Sequence, residues 1–173
     1  PAMDEDKLTK MVEESGNALI QHVPHARAIG LRIVTAKKDH AWLEVPYAPH
    51  LVGNPDTGVI HGGVITTLLD NASGVAVQLA LPERSSIATL DLRIDYMRPA
   101  EPGKTIKAHA HCYKVTQNVA FVRGAAYHDE NEDEPIATSV GTFMLAANRA
   151  TPVAMAAQMA KALEAKDNKK GDA

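Results

Sequence analysis

The chain has 173 residues, 45% of them hydrophobic and 23% charged, with a formal net charge of −3 at pH 7. That length supports one domain with a substantial core and falls short of two. The slight acidity excludes the global basic field of a nucleic-acid binder, so any anionic ligand must be held by local positive charge. The single cysteine, Cys112, excludes an intrachain disulfide and fits a reducing compartment. The opening residues Asp4, Glu5 and Asp6 are acidic and lack the apolar core of a leader, so the expected location is the cytoplasm.

Residues 4 to about 22 are predicted as an amphipathic helix, with Leu8, Met11, Val12 and Leu19 near one face and Pro24 as its stop. Gly16 weakens its middle, which allows two shorter pieces. From Ile29 to Val45 the pattern changes to a strand pair: Leu31, Ile33 and Val34, a polar turn over Lys37, Lys38, Asp39 and His40, then Trp42 to Val45. Pro46, Pro49, Gly53, Asn54, Pro55, Asp56 and Gly58 form a loop of about a dozen residues, long enough to suggest a functional role.

The segment from Gly62 to Leu81 carries one charged side chain, Asp70, among residues that are otherwise apolar or small nearly all round. It reads as a helix buried inside the domain, and its Thr66, Thr67, Asn71 and Gln78 argue against a membrane span. A carboxylate in such a helix is costly unless something satisfies or uses it. Pro82 closes the segment. Residues 87 to 98 then alternate, with Leu90, Leu92, Ile94 and Tyr96 on one face and Thr89, Asp91, Arg93 and Asp95 on the other.

A further strand over 105 to 115 sets Ile106, Ala108, Ala110 and Cys112 against Lys107, His109, His111 and Tyr113. Strands over 119 to 128 and 136 to about 146 follow, separated by an acidic run, 129 to 134, read as an exposed turn. A C-terminal helix is expected from Thr151 to about Ala165, before a polar, frayed end at 166 to 173. Consecutive strands with short turns imply an antiparallel sheet, and one sheet with one apolar helix implies that the sheet curls around it.

His61-Gly62-Gly63 precedes the buried helix, so the two glycines would contribute its first free N–H groups, a setting that favours developing negative charge. A tight loop-to-helix turn explains the glycines equally well. Asp70 lies nine residues after His61, about 13 Å of rise on an ideal helix, so the two cannot meet at one reacting atom within one chain. Either they serve different purposes, or a site combines the helix start of one protomer with Asp70 of another. A structural carboxylate bonded to a neighbouring strand is the alternative reading of Asp70. His109 and His111 share a strand face that metals can use, but no third ligand is evident beside them in sequence, so no metal site is expected.

The run from Asn54 through Gly58-Val59-Ile60-His61-Gly62-Gly63-Val64 to Leu69-Asp70 resembles the PaaI-like (phenylacetyl-CoA thioesterase) family of hotdog acyl-CoA thioesterases. The stretch Thr89 to Ala100, ending Tyr96-Met97-Arg98-Pro99-Ala100, resembles the strand that follows in that family. The resemblance covers residues 28 to 147. It implies an α+β hotdog fold, an antiparallel sheet wrapped around a long central helix. Residues 1–27 and 148–173 would add N- and C-terminal helical segments to this domain. It implies hydrolysis of an acyl-CoA or aryl-CoA without metal or redox cofactor, coenzyme A being part of the substrate. It implies a homodimer with a continuous sheet, commonly a dimer of dimers.

In that reading Asp70 is general base or nucleophile, and the Gly62 N–H polarises the thioester carbonyl from the opposing protomer. His61 orients the thioester end, Asn54 helps hold water or carbonyl, and Thr89 positions the water. Gly63, Arg98 and Lys104 are the candidates for binding substrate and coenzyme A, Arg98 and Lys104 through its phosphates. Asn54 stands seven residues before His61 where six are usual, and Thr89 falls on the polar face of its strand, so its reach depends on twist or a bulge. Two alternatives are a non-catalytic acyl-CoA-binding oligomer and a hotdog dehydratase acting on hydroxyacyl thioesters. The latter is disfavoured because no His-Phe-Pro-type motif opens the helix.

Overall fold

The computed structural model describes residues 16–128 and 131–146. Of the helix expected over 4 to about 22, residues 4–15 lie outside them, as does the expected C-terminal helix. Helix α1 (Asn17–His22) is followed at once by α2 (Pro24–Ala28). Pro24 therefore does more than stop the first helix: it opens the second, at a position whose missing N–H would have had no partner in the helix. Strands β1 (Arg32–Lys37) and β2 (His40–Val45) form the expected hairpin, but its turn is only Lys38 and Asp39. Asp39 takes the left-handed conformation, φ 58°, which Asp tolerates better than most residues.

The loop before His61 has structure of its own. A single 3₁₀ turn (Pro49–Leu51) leads into β3 (Val52–Asn54) and β4 (Val59–Ile60), which pair as a small separate hairpin. Helix α3 (Gly62–Ala80) follows, then β5 (Ile87–Tyr96), β6 (Ile106–Val115), β7 (Val119–Tyr127) and β8 (Ala137–Leu145). The large sheet is antiparallel throughout, in the order β1-β2-β6-β7-β8-β5. It wraps α3, which packs against β2, β5, β6, β7 and β8. This is the expected α+β hotdog arrangement.

The inner face of the sheet sets small residues among larger ones such as Leu43, Ile106, Val122 and Phe143. Ala41, Ala108, Ala110, Ala120, Ala126 and Ala137 are fully buried there, which lets the helix approach closely and seat Leu68 and Leu69. A Cβ on Gly124 would already stand 3.5 Å from Leu69 Cδ2. Full burial of each leucine contributes about 1.5–3 kcal/mol. The helix is not buried all round, as its composition suggests. Val64, Ile65, Leu68, Leu69, Ala72, Ser73, Ala76 and Val77 form a buried stripe at helical spacing, while Gly63 is exposed and Thr66, Thr67, Asp70, Asn71 and Gly74 are only partly covered. Among the described residues no helix is long and apolar enough to cross a membrane.

Strand β5 departs from strict alternation. Its pairing with β8 runs Ile87↔Leu145, Ala88↔Met144, Thr89↔Phe143 and then Asp91↔Thr142, so Leu90 is an extra residue, a β-bulge. Since Phe143, Gly141 and Ser139 point inward, the inner face of β5 is Ile87 and Thr89 before the bulge and Leu92, Ile94 and Tyr96 after it. Leu90, expected inside, is 56% exposed. Gly141 makes room for this irregularity, because a Cβ there would lie 2.9 Å from the Asp91 carbonyl oxygen and 3.1 Å from Leu92 Cδ1. Gly141→Ala should destabilise the fold by about 1–3 kcal/mol in urea titration. A change under about 0.5 kcal/mol, the size of an ordinary surface substitution, would show that the bulge does not depend on this glycine.

Candidate active site

The start of α3 is held from three sides. His61 is its N-cap, in extended conformation, and His61 Nδ1 accepts from the Gly63 N–H at 2.9 Å. That bond places the proton of the neutral ring on Nε2. It also consumes one of the two glycine amides that the sequence offers as free donors. The Gly62 N–H, by contrast, makes no hydrogen bond to any described residue. Below the cap, the His61 N–H donates to the Leu51 carbonyl at 2.9 Å, and Gly53 passes so close that a Cβ would meet His61 Cα at 2.8 Å. The β3–β4 hairpin is thus fitted against the helix start.

Tyr96 supplies the third hold. Its hydroxyl donates to the Gly62 carbonyl at 3.0 Å and lies 2.7 Å from Thr66 Oγ1, and its ring stands 3.6 Å from where a Gly62 Cβ would be. The strand motif names Tyr96, but nothing in the sequence assigned it to the site. The available signal was that it is the one inward residue of β5 combining an aromatic ring with a hydroxyl.

Two turns further along α3, Asp70 Oδ1 accepts from Thr89 Oγ1 at 2.8 Å. The bulge at Leu90 is what turns Thr89 inward and allows this contact. The second carboxylate oxygen makes no hydrogen bond to a described residue. The neighbouring polar side chains are occupied within the helix: Thr67 Oγ1 donates to the Gly63 carbonyl at 2.9 Å and Asn71 Nδ2 to the Thr67 carbonyl at 2.8 Å. Asp70 is therefore the anionic group of this face.

The other sequence candidates lie around the helix start. Asn54 Oδ1 accepts the Asp56 N–H at 3.0 Å, closing a turn within its own hairpin. Arg98 and Lys104 both reach Glu101, at 3.4 Å and 2.7 Å. The bond from Lys104, first, and then the charges of Lys104, His128 and Arg98 hold the exposed Glu101 carboxyl below its ordinary pKa. Their loop packs Pro102 against Gly58, three residues before His61. Beside the helix start a cavity of about 440 Å³ is lined by His25, Ile29, His50, Leu51, His61, Val64 and Thr67. The site thus has an amide donor at the start of the helix, a carboxylate about 12 Å further along its half-covered side, and an apolar-floored cavity beside the donor.

Comparison with known proteins gives the same direction. The profile of the Thioesterase superfamily matches residues 57–134, the span holding both Gly62 and Asp70. The medium/long-chain acyl-CoA thioesterase YigI of Escherichia coli K12 is 32% identical over 143 residues, covering 75% of this chain and 90% of that protein. A crystal structure of a Pseudomonas aeruginosa protein is 44% identical, with TM-score 0.69 over 77% of this chain and 98% of that one. The PaaI protein of the E. coli phenylacetic acid degradation operon superposes with TM-score 0.67 over 80% of this chain and 95% of its own, at 18% identity, a likeness of fold.

The holds on the helix start can be tested directly. Tyr96→Phe should lower stability by about 1 kcal/mol. Amide exchange should speed up in the first turn of α3 and stay unchanged over residues 72–77. Uniform loss of protection along the helix would show that Tyr96 acts on the whole core and not on the cap.

Proposed function

The chain belongs to the thioesterase superfamily as a PaaI-like hotdog thioesterase, and from that membership we propose that it hydrolyses acyl-CoA or aryl-CoA thioesters to the free acid and coenzyme A, with Asp70 as the catalytic carboxylate. The observation that carries the residue assignment is the pairing of Asp70 with Thr89 on a helix face that also bears the unbonded Gly62 amide. As general base, Asp70 takes a proton from water. The oxygen so activated attacks the thioester carbonyl, whose oxygen becomes an oxyanion held by a Gly62 N–H at a helix start. Collapse breaks the C–S bond and releases the coenzyme A thiolate. As nucleophile, Asp70 would form a mixed anhydride that water then hydrolyses.

Because Gly62 and Asp70 lie two turns apart on one helix, the donor and the carboxylate of one site come from two copies of the chain in this reading. Two features support it. Among the described residues strand β5 ends the sheet with an unpaired edge, which carries exposed Leu90 and Tyr96 and runs into Met97, 59% exposed. The face of α3 bearing Asp70 is half-covered beside that edge. A two-fold pairing of β5 edges would extend the sheet, cover the apolar groups and generate two equivalent sites. Coenzyme A phosphates would then recruit Arg98 and Lys104 by exchange with Glu101.

Asp70→Asn should fold and assemble as the wild type while hydrolysis, followed by a thiol reagent over aryl-, short-, medium- and long-chain acyl-CoA, falls by about 10²–10⁴-fold. Full activity in that variant would overturn the assignment, and no hydrolysis of any panel member by the wild type would favour the acyl-CoA-binding alternative. Thr89→Val should reduce kcat/KM by roughly tenfold to a hundredfold, corresponding to a hydrogen bond to a charged group, and Thr89→Ser should restore it. A fully active monomer in sedimentation would overturn the two-copy site.

A further inference from the structure

The opposite face of the sheet, turned away from α3, carries a second cluster of chemically capable side chains. The sequence shows His109 and His111 there without a third ligand; the fold brings two more groups. His40 is directly opposite His111 in the β2–β6 pairing, and Asp39 precedes it at the tip of the β1–β2 hairpin. That tip is fastened to β6, because the Cys112 N–H donates to the Asp39 carbonyl at 2.8 Å.

We propose that Asp39, His40 and His111 form a binding site for a first-row transition-metal cation of zinc type. The three donor atoms lie within 4.8 Å of one another. Asp39 Oδ1 is 3.4 Å from His40 Nε2 and 3.8 Å from His111 Nε2. A tetrahedral zinc with bonds of about 2.0–2.1 Å has ligand-to-ligand edges of about 3.4 Å. Of the three edges, Asp39–His40 has that length, Asp39–His111 must close slightly, and His40–His111 must close from a separation within 4.8 Å. The His40 and His111 rings are stacked at 4.0 Å and 6°, so binding requires them to rotate until their in-plane lone pairs converge.

The hydrogen bonds behind the ligands fix which nitrogen is free. Glu132 Oε2 is 3.1 Å from His109 Nδ1, so that nitrogen carries the proton it donates. His109 Nε2, 2.9 Å from His40 Nδ1, then accepts, and His40 Nδ1 is the donor. The free lone pair of His40 is therefore on Nε2, facing the Asp39 carboxylate. Two acceptors face each other, an arrangement that a cation between them relieves.

A carboxylate behind a ligand histidine is the usual second layer of a metal site, here extended by one imidazole. Glu132 is itself held by the Trp42 indole N–H at 3.3 Å and by Tyr127. It belongs to the acidic run that the sequence suggests is only an exposed turn. Lys37 and Arg123 share this face and oppose a further cation, but each ion sits over a ring, Lys37 over Trp42 and Arg123 over Tyr113. Asp39, Glu132 and Asp95 offset them. Imidazole with carboxylate selects zinc, nickel or copper over magnesium and calcium. Three protein ligands leave a position open toward a cavity of about 490 Å³ that His40, His109, His111, Asp95 and Arg123 help line.

Trp42, the single tryptophan, stacks on His109 at 4.2 Å and on His40 at 5.7 Å, so its fluorescence reports the site. Zinc titrated into the full, untagged, chelator-treated chain should bind saturably at one per chain by calorimetry and change that fluorescence, while magnesium should not. Asp39→Asn, which keeps a residue type tolerant of the left-handed turn, and His111→Gln should each weaken zinc binding by more than tenfold with near-ultraviolet dichroism preserved. Glu132→Gln should weaken it by about 10–100-fold as a second-layer change. Absence of saturable binding up to about 1 mM zinc, a free energy no better than roughly −4 kcal/mol, would overturn the proposal. So would loss of binding in His25→Gln or His50→Gln together with unchanged affinity in Asp39→Asn and His111→Gln.

Discussion

Much of this molecule's functional geometry follows from one hydrogen bond, that from Thr89 to Asp70, and from the extra residue that permits it. A strand alternates sides strictly, so with Leu92, Ile94 and Tyr96 directed at the helix, Thr89 would face away from it. The bulge at Leu90 resets the count by one. It carries Thr89 to the inner face, sends Leu90 outward at the free edge, and leaves Leu92, Ile94 and Tyr96 where the core and the helix start need them. Gly141 on β8 is the complementary concession, a position where backbone approaches too closely for a side chain. The same strand thus contacts both ends of the candidate site, Tyr96 at the helix start and Thr89 two turns further on.

The helix explains why these ends are separated. A helix N-terminus can offer an amide only at its start, and the N-cap His61 takes up the Gly63 amide while leaving that of Gly62. A carboxylate can sit on α3 only where the face is not packed against the sheet, because an unpaired buried charge would cost several kcal/mol. Asp70 meets that condition through its half-covered position and its hydroxyl partner. Amide and carboxylate are then rigidly held, yet too far apart to act on one carbonyl unless a second chain contributes. Rigid placement on a helix and a strand, instead of on loops, gives such a site its precision.

The sequence made the order of elements, the long helix and the inner face of β6 from Ile106 to Cys112 readable, because their periodicities are strong. It misled where tertiary contacts override local pattern. The near-uniform apolarity of 62–81 suggests a helix buried on every side, yet small residues such as Gly63, Gly74 and Thr67 are compatible with partial exposure and carry little information about face. The bulge is invisible because Leu90 continues the hydrophobic alternation perfectly. Asp70, His61 and Gly62 could be singled out from charge, capping and glycine chemistry, whereas Tyr96 could not, since its hydroxyl contacts cross 30 and 34 residues of chain.

The two faces of the sheet show how the same strand pattern can carry different chemistry. Inward, β2 and β6 present Ala41, Leu43, Ala108 and Ala110, whose small or branched shapes decide how near α3 can come. Outward, the alternate positions of those strands are His40, Trp42, His109 and His111, which stack ring on ring. In sequence only the pair on β6 stands out, because residues 40 and 111 become neighbours through sheet register alone. Imidazoles in such a stack cannot all be protonated without mutual repulsion, and neutral imidazoles have lone pairs that need donors. Because His109 gives its own proton to Glu132, its lone pair takes the His40 N–H, and the unmet lone pair passes along the row to His40 Nε2 beside Asp39. A row of aromatic rings built for stacking would satisfy itself; this one ends in an acceptor facing a carboxylate.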